Sequence, residues 1–375
     1  MIRPFDVTNW PTRVSFGPGR LAALPALLDE AGVRRPLVVC GTTVAGGPIL
    51  ARVQAALAGR PAAVYAGVAR HSPLPSVEAG AEAAARHAAD GLVSAGGGSA
   101  IDTAKCVAVL LAAGGDWRPH AIRYGETGSE ARRPLPPHTL PHIAVPTTAG
   151  SASEVMPGAG FRDVAAGRRV LFRDVRLQPR AAVLDPELAV FADADLTAAT
   201  GMTAVARCVE ALYSKDRQPL SEALALQGLR LLRRGLPRAV AAPMDLAARA
   251  DCQLGCLLSG VAADNAMASL VHALGHVFGG RYGLPHGVPH AMLLAPALRL
   301  LLPALAEPVP GGEALADAVA ALLGVLPLPR RLREAGIPAA DLPAIAAAAM
   351  RDHMMAYTPR PVTEAEVLAV LGAAW

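Results

Sequence analysis

Five short apolar runs in the first half of the chain alternate with stretches of helical periodicity, and this alternation stops after Asp185. The runs are bounded by turn or helix signals, and they are residues 36–40 (PLVVC), 62–66 (AAVYA), 91–95 (GLVSA), 142–146 (HIAVP) and 181–185 (AAVLD). A repeated strand, helix, strand order is typical of a parallel sheet covered by helices on both faces. We therefore predict a Rossmann-like α/β domain for residues 1–186.

Residues 187–375 show no further strand signal and contain long Ala- and Leu-rich stretches. The longest stretches are residues 195–214, 220–242, 245–268 and 289–306. This pattern predicts an all-α second domain, with the boundary near Pro186. A chain of 375 residues is long enough for two domains that each bury a core. We expect the substrate to bind in a cleft between them.

Composition excludes several classes of protein. A hydrophobic content of 53% with 18% charged residues is typical of a compact soluble protein rather than a disordered one. The net charge of +4 comes from arginines that are interleaved with acids, and only 4% of the residues are aromatic, so neither nucleic acid nor a membrane is expected as a partner. Five cysteines without a C-x-x-C pair, and an N-terminus unlike a signal peptide, favour the cytoplasm.

Residues 272–290 (HALGHVFGGRYGLPHGVPH) contain four of the ten histidines. His272 and His276 are one helical turn apart, so their imidazoles project from the same face of a helix. A Gly-Gly break and a Leu-Pro turn then bring His286 back towards them. Three imidazoles that converge in this way form a metal pocket, although histidines in a helix are also common as core or surface residues.

A glycine-rich segment, residues 95–105 (AGGGSAIDTAK), follows a predicted strand and opens a helix. Glycines allow a ligand to approach the backbone, and the free amides of a helix N-terminus, with Ser99, attract a pyrophosphate. The segment differs from the G-x-G-x-x-G fingerprint, and a tight turn is the alternative. Asp102 and Lys105 lie on the first turns of this helix, where an ordinary surface position is the alternative.

A second small-residue loop, residues 146–155 (PTTAGSASEV), follows the next predicted strand. Its hydroxyls at Thr147, Thr148, Ser151 and Ser153 stand at the carboxyl end of that strand, where a ribose or phosphate is commonly held. A plain polar loop is the alternative when the segment is considered alone. The two loops together predict a nucleotide site.

The motifs GGGS, PTTAGSASE, VLDPEL, GMTAVARCVEAL and HALGHVFGGRYGLPHG occur in the order and spacing seen in the iron-containing (group III) alcohol dehydrogenases. The chain resembles that family essentially from end to end, including its dehydroquinate synthase-like architecture. PTRVSFGPGRL, HVFGGRYGLPHGVPHA and the ending PRPVTEAEVLAVLGAAW are most similar to the maleylacetate reductase branch. His290 is similar to a histidine of that branch, where alcohol dehydrogenases usually carry Asn.

The resemblance implies a homodimer that binds NADPH or NADH in the interdomain cleft and passes hydride between the nicotinamide and a substrate carbonyl. Glycines 96–98 and Ser99 would hold the pyrophosphate, and Thr147, Thr148 and Ser151 would lie near the nicotinamide ribose. The full set expected at the cofactor is Gly41, Thr42, Gly96, Gly97, Gly98, Ser99, Asp102, Thr147, Thr148, Ser151 and Arg169.

Two of these positions bear on the choice of cofactor. Gly41 stands where many NAD-specific relatives place an Asp for the adenosine ribose, so the chain lacks a carboxylate that would repel a 2′-phosphate, and NADPH should be tolerated. Arg169 stands where relatives often have a cofactor-contacting lysine.

The chain departs from the family at the metal. Metal-dependent members use Asp and His four residues apart, where this chain has Thr203 and Arg207, together with histidines that align with His272 and His286. Two imidazoles alone form a weak site. A guanidinium about 4 Å from a dication would cost on the order of 8 kcal/mol even at an effective dielectric near 20. We therefore predict no catalytic metal.

The same substitution predicts a replacement chemistry. Arg207 could stabilise a developing alkoxide or bind a substrate carboxylate, and a salt bridge to Glu210 or Asp264 is the alternative. His276 is the expected proton donor to the product oxygen, with His286 or His290 as substitutes. His272 and His286 remain as hydrogen-bonding or substrate-contacting groups.

These observations predict a metal-independent, NAD(P)H-dependent reductase of a carboxylated carbonyl compound such as maleylacetate. One alternative is a metal-dependent alcohol dehydrogenase with a rearranged ligand set. Another is a non-redox biosynthetic enzyme, because sugar-phosphate cyclases share this architecture.

Overall fold

The computed structural model describes residues 5, 7, 12–124, 130–166, 168–305 and 308–375. Pro11, the first residue of the N-terminal motif, and Ala306, the end of one predicted helix, lie outside these ranges. The chain forms two compact units, one built on Asn9–Phe191 and the other on Ala192–Trp375. Pro186, at which the sequence places the domain boundary, begins a short helix of the first unit.

The described strands all belong to the first unit. They are β1 (Arg13–Phe16), β2 (Pro36–Gly41), β3 (Ala63–Val68), β4 (Gly91–Gly96), β5 (Arg123–Tyr124), β6 (Glu130–Ala131), β7 (His142–Pro146), β8 (Gly158–Asp163), β9 (Arg168–Arg173) and β10 (Ala181–Leu184). Its helices are α1 (Leu24–Glu30), α2 (Thr42–Ala45), α3 (Pro48–Ala56), α4 (Leu74–His87), α5 (Gly98–Ala112) and α6 (Pro186–Ala189).

The main sheet has six strands in the order β1-β10-β7-β4-β2-β3, and every neighbouring pair is parallel. All five strands expected from the sequence are present, and the predicted α/β class is confirmed. Side chains alternate across the sheet: Leu37 and Val39 pack on the side of α4 and α5, whereas Val38 and Cys40 pack on the side of α1 and α3. The parallel sheet therefore has a hydrophobic core on each face, as expected for this class.

Two features of the first unit escaped the sequence analysis. β1 is a four-residue edge strand, too short to give a pattern, and its position depends on pairing with β10. β8 and β9 form an antiparallel hairpin whose inner side chains, Phe161 and Phe172, pack with Trp117. This aromatic cluster lies over the α5 side of the sheet and fixes the chain that follows the PTTAGSASEV loop.

The second unit is helical throughout its described residues. Its helices are α7 (Ala194–Tyr213), α8 (Pro219–Ala241), α9 (Leu246–Ala266), α10 (Leu270–Tyr282), α11 (Gly287–Leu301), α12 (Ala314–Gly324), α13 (Leu342–Ala349) and α14 (Glu364–Ala374). Asp193 and Asp245 cap the amino ends of α7 and α9 by accepting from Leu196 N and Ala248 N. Helix α9 ends before Met267, which has φ 59°, and the chain bends by 108° between α9 and α10.

One helical segment of the described residues, Gly287–Ala304, is long and apolar enough to cross a membrane, and 67% of it is buried within the protein. Helices α9 and α10 satisfy the same criterion only when they are joined across their bend. Burial of an apolar helix in the core is sufficient to explain its composition.

Candidate active site

The glycine loop between β4 and α5 packs directly against the PTTAGSASEV loop. Gly96 has φ +144°, which L side chains rarely adopt. A Cβ at Gly97 would lie 3.0 Å from Thr148 Cγ2, and a Cβ at Gly98 would lie 3.0 Å from Ser151 Cβ. The two loops that the sequence assigns to the nucleotide are thus neighbours, and the glycines are what allows them to come so close.

An unpartnered hydroxyl lies at this junction. Thr147 and Thr148 are both buried, and Thr148 Oγ1 has no hydrogen-bond partner among the described residues. Ser151 Oγ instead donates to Glu154 Oε2 at 3.2 Å. A buried hydroxyl without a partner costs free energy unless something bonds it, so its position beside the glycine loop fits an oxygen-rich ligand such as a nucleotide.

Ser99 and the turn after β3 form a second support for the glycine loop. Ser99 Oγ accepts from His71 N at 3.3 Å, and Ser72 Oγ donates to Ser99 O at 3.1 Å. His71 and Ser72 have φ values of 61° and 48°, a left-handed conformation that non-glycine residues rarely adopt. The Ser99 hydroxyl is therefore partly engaged by the protein, although its own proton remains available to a ligand.

Lys105 is buried, so the alternative that it occupies an ordinary surface position on α5 is wrong. Its Nζ donates to the carbonyl oxygens of Ser153 at 2.6 Å, Met156 at 2.6 Å and Gly158 at 3.0 Å. The side chain is 1% exposed. Lys105 therefore fixes the backbone that leads from the PTTAGSASEV loop into β8.

Asp102 on α5 and Arg169 on β9 form an ion pair, with Arg169 Nη2 3.6 Å from Asp102 Oδ2. Gly41 lies where β2 ends and Thr42 begins α2. A Cβ at Gly41 would touch only Val68 O, at 3.4 Å, so a larger side chain has room there. All the residues expected at the cofactor lie at or beyond the carboxyl ends of β2, β4 and β7, except the pair that joins α5 to β9.

In the helical unit, the imidazoles of four histidines lie close together beside glycines of α10 and α11. A Cβ at Gly275 on α10 would overlap the His290 imidazole, and a Cβ at Gly279 would lie 3.5 Å from His286 Cε1. A Cβ at Gly287 would overlap the backbone of Ala199 on α7. The glycines of this segment therefore let α10, α11 and α7 come close enough for the imidazoles to contact each other.

The ring contacts form a continuous series. The ring centroids are 4.3 Å apart for His272 and His290, 6.1 Å for His290 and His286, 5.9 Å for His286 and His276, and 5.9 Å for His276 and His353. The four histidines predicted from the sequence are brought together, and His353 is a fifth that the sequence analysis did not include.

Glu210 holds His272 from the buried side. Its Oε2 is hydrogen-bonded to His272 Nδ1, and its Oε1 accepts from Val271 N at 2.8 Å and from Ser269 N at 3.1 Å, which caps the start of α10. Burial raises the pKa of the Glu210 carboxyl, but the charge and hydrogen bond of His272 outweigh this effect and hold the pKa below its ordinary value. The carboxylate therefore fixes the His272 proton on Nδ1.

Three ring nitrogens of this cluster are buried without partners among the described residues. His272 Nε2 and both nitrogens of His290 are buried and make no hydrogen bond with the described residues. Burial lowers the pKa of His290 well below its ordinary value, and the nearby charges of His272, His286 and Arg207 lower it further. His290 is therefore a neutral imidazole that has one donor and one acceptor to offer to a ligand.

Thr203 and Arg207 lie one turn apart on α7, on the side of the histidines. Thr203 Oγ1 donates to Ala199 O of its own helix at 3.3 Å, and the Arg207 charge lowers the pKa of His290. Glu210 bonds Tyr213, Ser269, Val271 and His272, and a salt bridge from Arg207 to Glu210 or to Asp264 stays the alternative to a substrate role.

These residues do not fit a catalytic dication. In the described part of the chain, no three His, Cys, Asp or Glu side chains are placed to hold a metal ion together. A guanidinium whose charge acts at His290 makes the same position unfavourable for a cation. The arrangement instead offers a fixed positive charge near the neutral His290 imidazole, which suits an anionic substrate.

Three further residues of this site came from the structure alone, namely Glu210 as a partner of His272, Asp352 and His353. Asp352 Oδ2 is 2.9 Å from His276 Nδ1, and the two residues are 76 positions apart in the chain. The dipeptide Asp352-His353 is a signal in the sequence, but nothing local places it beside α10.

Comparison with known proteins identifies relatives for the whole chain. The family model described as "Iron-containing alcohol dehydrogenase" matches residues 11–186, and that described as "Fe-containing alcohol dehydrogenase family, C-terminal" matches residues 197–375. The 1,3-propanediol dehydrogenase of Klebsiella pneumoniae is 34% identical over 331 residues, which are 84% of this chain and 83% of that protein.

Two more relatives extend the comparison. Maleylacetate reductase 2 of Cupriavidus pinatubonensis is 34% identical over 259 residues, which are 69% of this chain and 63% of that protein. A crystal structure of a 1,3-propanediol oxidoreductase superimposes with a TM-score of 0.89 at 31% identity, covering 100% of both chains.

Proposed function

Because the chain belongs to the iron-containing alcohol dehydrogenase family and is an oxidoreductase, we propose that it is a metal-independent, NAD(P)H-dependent reductase of a carboxylated carbonyl compound. Maleylacetate is the named substrate, by similarity to the maleylacetate reductase among the relatives. The substrate is a small molecule, and neither nucleic acid nor a membrane is part of the proposal.

The observation that carries this proposal is the close packing of α7, the helix of Arg207, against the start of α11, where a Cβ at Gly287 would overlap Ala199. The positive charge of Arg207 is near enough to contribute to the lowered pKa of His290, although burial is the main cause. A permanent cation with forked donors can do two things there: it binds a carboxylate through paired hydrogen bonds, and it stabilises negative charge that develops on an oxygen. The second action suits the reduction of any carbonyl, whereas the first suits a keto acid and has no counterpart in a simple alcohol.

The reaction is a two-electron reduction in which NAD(P)H becomes NAD(P)⁺. When bound, the nucleotide would supply the hydride, and negative charge would develop on the ketone oxygen of the substrate. In a simple ketone that oxygen would then take a proton. In maleylacetate the ketone is conjugated to a C=C bond, so addition at the conjugated carbon would give an enolate that takes its proton at carbon. In this proposal Arg207 stabilises the charged oxygen in either case.

The proton comes from His276 in this proposal. Its side chain is 27% exposed, so it can be reprotonated from solvent, whereas His290 is buried and neutral. His286 contacts both rings and is the substitute donor. His272 and His290, whose inward nitrogens are unpartnered, are assigned to hydrogen bonds with the substrate.

In this proposal the nucleotide binds to the first unit. Glycines 96–98 and the unpartnered Thr148 hydroxyl support a pyrophosphate and ribose site at the carboxyl ends of β4 and β7. Gly41 leaves room for the 2′-phosphate of NADPH and offers no carboxylate to repel it. We therefore expect both NADPH and NADH to be used.

The decisive experiment measures oxidation of NADPH and of NADH with maleylacetate, first after chelator treatment and again after Fe²⁺ or Zn²⁺ is added. Turnover should survive the chelator. The Arg207→Ala variant should lose turnover about 10²-fold or more, with little change in the Kd for NADPH, because it removes stabilisation from the reacting oxygen rather than from the nucleotide.

A matched control is Arg233→Ala, which removes an exposed arginine of α8 in the same unit and should leave turnover unchanged. Equal losses in the two variants, or equal losses of turnover and NADPH binding in Arg207→Ala, would contradict the role. Nucleotide binding without reduction of any keto acid would instead favour the non-redox class.

One observation supports a metal-dependent dehydrogenase as the second candidate. His272 donates Nδ1–H to Glu210 and leaves Nε2 unpartnered, which is how metal-binding histidines are commonly oriented. Activity that appears only after Fe²⁺ or Zn²⁺ is added, with simple alcohols as substrates, would establish that candidate and overturn the metal-free one.

We further propose a homodimer in the cytoplasm. All five cysteines are free and buried, which suits a reducing compartment. β1 ends the sheet and, within the described residues, pairs only with β10, so its outer edge is open to a second copy. Light scattering after size-exclusion chromatography gives the oligomeric state.

A further inference from the structure

A carboxylate lies between two imidazoles on the outer side of the histidine series. Asp352 Oδ2 accepts from His276 Nδ1 at 2.9 Å, and Asp352 Oδ1 is 3.5 Å from His353 Nδ1. The two rings stack with an interplanar angle of 20°. Asp352 Oδ1 also accepts from Met354 N at 2.9 Å and so caps the short helix His353–Tyr357.

The carboxylate decides which nitrogen of His276 carries the proton. Burial by itself raises the pKa of Asp352, but the hydrogen bond and charge of His276 outweigh this effect and lower the pKa below its ordinary value. An ionised carboxylate only accepts hydrogen bonds, so His276 must present Nδ1–H to it. Nε2 is then the nitrogen that gains and loses the transferable proton.

We propose that Asp352 is the positioning residue for His276, and that His353 packs against that ring on its outer face to hold it in place. This inference rests on the proposed function, because His276 donates a proton to the product only if the proposed reduction takes place.

Other charged groups near His276 have different partners or positions. Glu210 is engaged by His272 and by the start of α10, and His286 meets the His276 ring edge-on at an interplanar angle of 79°. Arg207 is on α7, and its charge lowers the pKa of His290. Asp352 is therefore the carboxylate that sets the orientation of His276.

Asp341 provides a matched comparison, because it also binds residues of α10 from outside that helix. Its Oδ2 accepts from Tyr282 OH at 2.5 Å, and its Oδ1 is 3.1 Å from Arg281 Nη2. These contacts restrain the last turn of α10, away from His276. A purely structural role for an aspartate that contacts α10 should therefore give similar consequences at positions 341 and 352.

The first test compares Asp352→Asn, Asp352→Glu and Asp341→Asn in steady-state turnover. An Asn amide can donate to Nδ1 and so favours the wrong tautomer of His276 with little change in shape. We expect Asp352→Asn to lower kcat by about 10²-fold to 10⁴-fold, with KM for the keto acid and Kd for NADPH within about threefold of the parent protein.

Asp352→Glu should restore part of the loss in kcat, because it keeps a carboxylate, and Asp341→Asn should lower thermal stability without lowering kcat. If Asp352→Asn and Asp341→Asn lower kcat equally, or if Asp352→Asn raises KM and leaves kcat unchanged, the positioning role is overturned.

The second test does not depend on turnover. In protein labelled with nitrogen-15 histidine, long-range nitrogen–proton correlation spectra report which ring nitrogen of each histidine is protonated, and the His276→Gln variant identifies the signals of His276. We expect the Nδ1–H tautomer in the parent protein and the Nε2–H tautomer in Asp352→Asn, with the His272 signals unchanged.

An Nε2–H tautomer in the parent protein, or a tautomer that does not change in Asp352→Asn, would refute the inference. If the parent protein reduces no keto acid, the proposed function fails. The spectra would still decide whether Asp352 orients His276, so the two failures are distinguishable.

Discussion

Glu210 is a fully buried carboxylate whose charge is compensated by residues close to it in space and far from it in sequence. Its hydrogen-bond partners from the start of α10, Ser269, Val271 and His272, lie 59, 61 and 62 positions away. Removing one partner of such a group costs the desolvation of the group that remains. The side chain therefore does two things at once: it caps a helix and sets the tautomer of a histidine in the proposed site.

His142 is a buried histidine outside the proposed site, and it makes the first unit sensitive to acid. Its Nε2 is 2.7 Å from Ser94 Oγ, and its Nδ1 has no partner within the described residues. Burial, with a smaller effect from the charge of Lys105, lowers the pKa of His142 from 6.5 to about 3. The folded protein therefore keeps this imidazole neutral where the unfolded chain protonates it.

We predict that His142 lowers stability as pH falls from about 6.5 towards 3, because the unfolded state then binds a proton that the folded state does not. Between pH 6.5 and pH 5 the free energy of unfolding should fall by about 2 kcal/mol more in the parent protein than in His142→Gln. Urea unfolding at several pH values measures this difference. His138→Gln, at an exposed histidine of the same unit, is the control. A parent protein and His142→Gln with the same pH dependence would show the idea to be wrong.

At the scale of elements, the approach of α10 to α11 depends on small residues. Gly275 and Gly279 leave the space that the His290 and His286 rings occupy. Gly280 lies on the same helix and has no heavy atom within 4 Å of an added Cβ. The chain therefore contains a glycine required for packing and, five residues later, one that is not required for it.

We predict opposite effects for two substitutions on α10. Gly275→Ala should destabilise the helical unit by about 1–3 kcal/mol and lower turnover, because the new methyl group displaces the His290 imidazole. Gly280→Ala should be neutral or stabilise by up to about 1 kcal/mol, because alanine favours a helix more than glycine does. Chemical denaturation with turnover as a second readout compares them. Destabilisation of equal size in both variants would mean that packing at His290 is not the cause.

Element boundaries show which parts of the fold could be predicted and why. The strands of 36–40, 91–95, 142–146 and 181–185 were found because strands buried on both faces are continuous apolar runs. The strand of 62–66 lies at the sheet edge and is partly buried, but its residues form an apolar run as well. β1 and the β8–β9 hairpin were missed because their burial depends on partners, β10 and the Trp117 cluster, that no local pattern indicates. The sequence left a surface position open as an alternative for Lys105, whereas three carbonyl oxygens from distant residues hold it in the interior.

At the scale of the whole molecule, each unit carries a different part of the proposed chemistry. The α/β unit has the two loops assigned to the nucleotide, and the helical unit has Arg207 and the histidine series. This separation predicts which ligands stabilise the protein. A nucleotide should bind and stabilise the fold, and a divalent metal should not.

We predict that NADPH at 100 times its Kd adds about 2.7 kcal/mol to the free energy of unfolding and raises the Tm by several degrees. Fe²⁺ or Zn²⁺ at similar excess should leave the Tm unchanged, and so should a chelator. Differential scanning calorimetry under anaerobic conditions measures all three. A Tm that falls with chelator and recovers with Fe²⁺ would contradict the metal-free proposal, whatever the nucleotide does.

The sequence by itself determined the fold class, the family and the identity of most residues in the two loops and the histidine segment. These features are local: strand runs, glycine turns and one-turn spacings are set by neighbours within a few residues. The sequence also showed that Thr203 and Arg207 replace two expected metal ligands, because both positions lie within one short motif.

Only the tertiary structure decided what the buried polar residues do. His276 meets Asp352 across 76 positions, and Lys105 meets its carbonyls across 48 to 53 positions. A buried charge is stable only where partners satisfy it, and those partners are brought together by packing rather than by sequence proximity. For that reason the sequence named the histidines, and the fold showed which carboxylates orient them.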